Sequence, residues 1–222
     1  MPAGDTKSPE MRLLVDLGGT NTRCALQSAG EEPHVIRKVK NRRYDGLEAV
    51  LRQYLDDLPA EWRPRTAALA VAAPVTGDEV RLTNLGWSFS NKALKKALDL
   101  DELVVVNDFT AVAMALPWLP EDSLVKVGTG EPVPGRALAV LGPGTGLGVS
   151  GLLPAGDRWI PLSGEGGHVT LPATDDREAA VIAMIRQHQG HVSAERLVSG
   201  AGLMNLYAAL KTLAGETLEN VK

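Results

Sequence analysis

The chain has 222 residues, 44% of them hydrophobic and 23% charged, a length that suits one large domain or two small ones with a real core. Its net charge of −4, with no basic cluster, argues against an electrostatic nucleic-acid surface. The single cysteine, Cys24, excludes a disulfide framework within one chain and fits a reducing cytoplasm, and no apolar run approaches the ~20 residues that span a bilayer.

The polar stretch 1–10 reads as a disordered tail without the basic-then-apolar order of a signal peptide. Two alternating segments, LLVDL and RCALQ, flank Gly-Gly-Thr-Asn and predict a hairpin, with HVIRKVK as a third strand. Leu47, Val50, Leu51, Tyr54 and Leu55 recur at helical spacing up to Pro59. TAALAVAAPV predicts a buried strand, with EVRLTN pairing to it across Thr-Gly-Asp.

Ser90 is placed to N-cap a helix over NKALKKAL. The run ELVVVND predicts a central strand covered on both faces, and FTAVAMAL a helix ending at Pro117. PWLPEDS has the composition of a linker. Beyond it, ALAVLG and GVSGLLP flank GPGTGL in the manner of the first hairpin, a weak internal repeat. Helical segments over 176–188 and 193–213 close the pattern. Strands alternating with helices predict an α/β protein with lobes over 11–116 and 117–222. Trp87, Met114, Met184 and Met204 read as core.

Four segments carry candidate chemistry. Asp16, Gly18, Gly19 and Thr20 lie at a strand turn whose amides could form an anion-binding concavity or simply an ordinary hairpin bend. A carboxylate there repels phosphate, so Asp16 makes sense beside one through Mg²⁺ or ordered water. Gly144, Thr145 and Gly146 form a second such turn. It is neither a Walker loop, since no Gly-Lys-Ser/Thr follows, nor a dinucleotide fingerprint. Two similar turns in one chain favour a shared polyphosphate.

Asn107 and Asp108 sit at the carboxyl end of an apolar strand, where ligands gather in open α/β sheets. Asp108 is there as a helix N-cap or as a functional carboxylate. In Ser-Gly-Glu-Gly-Gly-His, three glycines frame Glu165 and His168. With His188 and His191 the pair could ligate a metal, but it suits hydrogen bonds to a polyhydroxy ligand better. Glu195 could support a helix start behind Ser193.

The strings VDLGGTNTR, APVTGDEVRLTNLGWSFS, VVVNDFTAVAMALP, LGPGTGLGVSGLLP, PLSGEGGHVTLP and GHVSAERLVSGAGLMNLYAAL, in this order and spacing, resemble the bacterial glucokinase family. The group in question lacks the zinc-binding cysteine motif of the related sugar-kinase and repressor family. The resemblance implies a two-lobed actin-like (ribonuclease H-like) sugar kinase fold, with a sugar in the cleft and ATP–Mg²⁺ behind it.

On that likeness Asp16, Gly18, Gly19 and Thr20 line the first phosphate loop, Asp16 reaching Mg²⁺ through water, and Gly144, Thr145 and Gly146 line the second. Asn84, Asn107, Glu165, His168 and Glu195 would hold glucose, and Asp108 would be the base towards its 6-hydroxyl. Family members continue beyond the equivalent of Lys222, so the resemblance implies an incomplete second lobe without its nucleoside pocket and with apolar surface exposed. The implied activity is cytoplasmic ATP-dependent phosphorylation of glucose, with no nucleic-acid or membrane partner and a homodimer allowed. A hexose kinase with another sugar or donor, or a non-catalytic sugar-binding or regulatory fragment, are the alternatives.

Overall fold

The computed structural model describes residues 11–82 and 84–216, so the expected tail over 1–10 lies outside the described residues. The chain divides into two compact units with the boundary between Ala111 and Val112.

In the first unit, β1 (Arg12–Leu17) and β2 (Asn21–Gln27) form the expected hairpin, and β3 (His34–Lys40) adds antiparallel to β2. β4 (Thr66–Val71) pairs parallel with β1, and β7 (Glu102–Asn107) pairs parallel with β4. The sheet order is therefore β3-β2-β1-β4-β7. Alternation along β1 sends Leu13, Val15 and Leu17 into the core. Helix α1 (Leu47–Asp56) lays Leu47, Val50, Leu51, Tyr54 and Leu55 against the same core at i, i+3, i+4, i+7 and i+8. Each such buried aliphatic side chain contributes ~1.5–3 kcal/mol.

Val35 takes a left-handed φ of 51° beside the β2–β3 irregularity, a strained setting for a β-branched residue. Its carbonyl accepts the Tyr54 hydroxyl at 3.0 Å, which ties the distortion to α1.

Two expectations for this unit need correction. β5 (Glu79–Leu82) does not pair with β4; it forms a separate two-stranded sheet with β6 (Trp87–Ser90). β7 is not a central strand covered on both faces. It ends the sheet and leaves Val104 46% exposed. Its β-branched run records strand propensity rather than double cover. Ser90 does cap α2 (Asn91–Ala97), accepting the Ala93 N–H at 3.1 Å. Helix α3 (Asp108–Ala115) follows β7 directly and contains the unit boundary.

The second unit opens with β8 (Leu138–Pro143), β9 (Leu147–Ala155) and β10 (Arg158–Leu162), an antiparallel meander. Helices α4 (Asp176–Gln189) and α5 (Gly200–Leu213) and the segment between them build a small core from Val181, Ile182, Ile185, Val192, Leu197 and Ala209. Two side-chain caps start α4. Asp175 accepts the Glu178 N–H, while Glu178 Oε2 accepts the Thr174 N–H, each at 2.7 Å.

Strand, glycine turn, strand, strand, helix repeats the opening of the first unit, so the weak internal repeat is structural. Among the described residues this sheet has three strands, and Leu141, Leu153, Ile160 and Leu162 stand exposed on it. Met184 packs against the α4–α5 core and Trp87 against the first core. Met114 and Met204, expected inside, are 47% and 48% exposed. Among the described residues no helix is long and apolar enough to cross a membrane.

Candidate active site

The first unit holds Asp16, Gly18, Gly19, Thr20, Asn84, Asn107 and Asp108. The β1–β2 turn is closed by the Gly18 N–H donating to Asn21 O at 3.0 Å. A residue with no sequence signal fixes it from behind. Asn41 is 1% exposed and donates Nδ2 to Gly18 O at 2.8 Å. It also accepts the Thr22 hydroxyl at 2.7 Å and gives its N–H to Thr20 O at 3.0 Å.

A Cβ on Gly19 would meet nothing nearer than Asn84, at 3.9 Å, and no left-handed φ demands glycine there. Neither a neighbour nor the backbone conformation imposes glycine there, and the turn is left open on that side. Asn84 is exposed beside this turn. Asp16 faces Arg23 across the β1–β2 pair, and Arg23 Nη1 donates to its Oδ2 at 2.7 Å.

At the carboxyl end of β7 the two readings of Asp108 separate. The cap is Asn107, whose Oδ1 accepts the N–H groups of Phe109 and Thr110 at 2.9 and 3.2 Å. Asp108 is the first residue of α3, half-buried. Its Oδ1 accepts the Phe109 N–H and Asn107 Nδ2, both at 2.9 Å. Burial raises its carboxyl above the usual range, the two hydrogen bonds oppose this, and the charge of Asp16 adds to the rise.

The second unit holds Gly144, Thr145, Gly146, Glu165, His168 and Glu195. Glu195 lies in the first turn of a short 3-10 helix, Ala194–Arg196, behind Ser193 as expected, and its Oε2 also accepts the Leu147 N–H at 2.9 Å, while α5 has its own cap in Ser199. Its Oε1 lies 3.6 Å from His168 Nε2. Thr145, His168, His191, Ser193, Glu195 and Asn205 line a cleft of about 510 Å³.

Glu165 is exposed nearby in sequence but does not line that cleft. His191 Nε2 meets Thr170 Oγ1 at 2.9 Å, and His188 is in the last turn of α4. Of the three glycines around Glu165, Gly164 has open space about it, while Gly166 and Gly167 are needed for close approach rather than an unusual φ. A Cβ on Gly167 would lie 2.1 Å from Leu147 O, and one on Gly166 2.8 Å from Val149 Cβ.

A family model described as Glucokinase matches residues 13–222. The chain belongs to the glucokinase family. A glucokinase of Nitrobacter hamburgensis is 48% identical over 206 residues, covering 93% of this chain and 64% of that protein. One of Cupriavidus metallidurans is 49% identical over 209 residues, covering 94% and 62%. The chain thus spans less than two thirds of the length of these glucokinase relatives. Among solved structures, the glucokinase of an Antarctic psychrotroph superposes with a TM-score of 0.85 at 35% identity, covering 96% of this chain and 67% of that one. The mixed α/β glucokinase fold read from the motifs therefore holds.

Proposed function

We propose that this chain phosphorylates glucose at its 6-hydroxyl with ATP as donor, in the cytoplasm, as the first step of glucose breakdown. The observation that carries the reading is Asp108, a half-buried carboxylate at the end of a parallel strand, oriented by Asn107 and raised by burial. Phosphoryl transfer passes through a loose transition state, so alignment outweighs base strength. Asp108 orients the 6-hydroxyl and accepts its proton late in the transfer. Glu165, His168 and Glu195 supply acceptors and donors for the other sugar hydroxyls, with Asn107 and Asn84 as further polar contacts.

The glycine turns fit a polyphosphate. A Cβ on Gly19 would come no nearer than 3.9 Å to another residue, one on Gly144 would meet nothing within 4 Å, and neither glycine adopts a left-handed φ. Among the described residues no three His, Cys, Asp or Glu side chains are placed to hold a metal ion. A Mg²⁺ ion near Asp16 would then be held mainly by phosphate oxygens, its usual habit. When bound, ATP–Mg²⁺ supplies the transferable phosphoryl group and screens its charge. Backbone dipoles at residues 18–20 and 144–146 add to that screening.

The test is glucose-dependent ADP release by this 222-residue chain, measured across a panel of sugars and donors. ADP release that needs glucose and ATP supports the reading. Glucose binding without ADP release would leave a non-catalytic sugar-binding protein, and a preference for another sugar or for polyphosphate would leave a different hexose kinase.

A further inference from the structure

Glu195 touches two things at once. One carboxylate oxygen holds the Leu147 N–H at the end of the second glycine turn, and the other faces His168 in the cleft. Gly146 shows how closely the group is seated: a Cβ there would lie 2.3 Å from Glu195 Oε2 and 3.1 Å from its carboxyl carbon. Gly146 has no left-handed φ, so alanine suits its backbone and only the carboxylate stands in the way. Elsewhere in the turn, a Cβ on Gly144 has open space around it.

We infer that Glu195 is a positioning residue that couples sugar binding to the order of the 144–148 turn, and that Gly146 is glycine to admit this carboxylate. The inference rests on the glucose reading above. A carboxylate is a rigid plane, so a sugar hydroxyl that fixes Oε1 also fixes Oε2, and with it the Leu147 amide. The turn is then ordered for a phosphate by the sugar. By reciprocity, a ligand that orders the turn tightens sugar binding by the same factor. His168, 61% exposed, stands on the sugar side of the link.

Two measurements on the full chain test this, calorimetric titration with glucose and amide hydrogen exchange of residues 144–148 with and without saturating glucose. In the unsubstituted protein, glucose slows exchange at Leu147. Glu195→Ala leaves that amide fast in both conditions. Gly146→Ala, although it lies on the turn, weakens glucose binding by about tenfold or more with an unchanged far-ultraviolet spectrum.

Glucose affinity unaltered in Gly146→Ala, or Leu147 exchange indifferent to bound glucose, would overturn the coupling and leave the glucose reading standing. No glucose binding by the unsubstituted chain would overturn both. The exchange of Leu147 in the unsubstituted chain needs no variant, so misfolding of either variant still leaves that measurement to decide.

Discussion

Asn107 Nδ2 donates to Asp108 Oδ1 at 2.9 Å, while the same side chain caps α3 through Oδ1. One amide therefore starts the helix and aims the carboxylate that begins it. Its second amide hydrogen is directed at Ala73 O, 3.4 Å away just beyond β4, so Asn107 is fastened to the neighbouring strand's exit as well.

Asp108→Asn should lower turnover by ~10²–10⁴-fold, the usual worth of a positioned acid–base group, with glucose affinity within a few-fold. The stability effect runs the other way. The folded carboxyl is raised above its unfolded value, so its stabilising contribution is complete below the unfolded value near ~3.9 and lost as pH rises through the folded one. At neutral pH the ionised Asp108 is thus a cost. The asparagine variant should melt higher than the parent at pH 7, by at most ~1 kcal/mol because solvent screens a half-exposed group, with the gap closing towards pH 3. Glucose 6-phosphate formed at the parental rate would remove the base role, and identical melting curves at pH 7 would remove the burial argument.

Asn107→Ala should cost ~0.5–2 kcal/mol through the lost cap. Since the Asn107 amide helps to hold the Asp108 carboxyl down, its removal should also move the acid limb of the pH–rate profile to higher pH. Asn107→Ser separates the two effects, because a hydroxyl caps a helix but does not reach as an amide donor. Serine should recover most of the melting temperature and leave the pH profile displaced. A profile that returns with the stability would make Asn107 a cap and nothing more.

Local patterning reveals the pieces of this site, but not their neighbours. The β1–β2 and β8–β9 hairpins, α1 and the Ser90 cap follow from side-chain period and turn chemistry, each settled within a few residues. The Asn107-Asp108 pair stands out because a strand ends there. Asn41 does not: it lies in Asn-Arg-Arg after β3, and its value comes from a turn 23 residues away. Glu195 is harder still, since its partner Leu147 is 48 residues distant. The place of β7 at the end of its sheet is likewise a matter of strand order, which a run of valines does not encode.

Asn41→Ala removes the donor to Gly18 O and strands the Thr22 hydroxyl, which is fully buried. A buried polar group left without a partner costs ~1–3 kcal/mol, so urea unfolding should show a loss of that size. The loss should be accompanied by faster amide exchange over residues 18–22 than over the rest of β1 and β2. Uniform acceleration along both strands would mean that Asn41 stabilises the sheet as a whole and not the glycine turn. An unchanged unfolding midpoint would mean that the buried cluster is dispensable.

Cys24, on β2, is 3% exposed, and burial pushes its thiol up to about 12. Only the thiolate attacks disulfide reagents, so at pH 8 an aromatic disulfide should label the folded protein no faster than it opens, and label it at once in urea. The same shift sets an alkaline stability limit. The contribution of the neutral thiol is full below the unfolded value near 9 and lost as pH rises towards 12, and Tyr54, raised to about 12 by burial, acts with the same sign. The melting temperature should therefore fall steadily above pH 9, less steeply in Cys24→Ala than in the parent. Rapid stoichiometric labelling of the folded chain, or parallel alkaline slopes for the two proteins, would show that the thiol is not sealed within the β1–β2 layer.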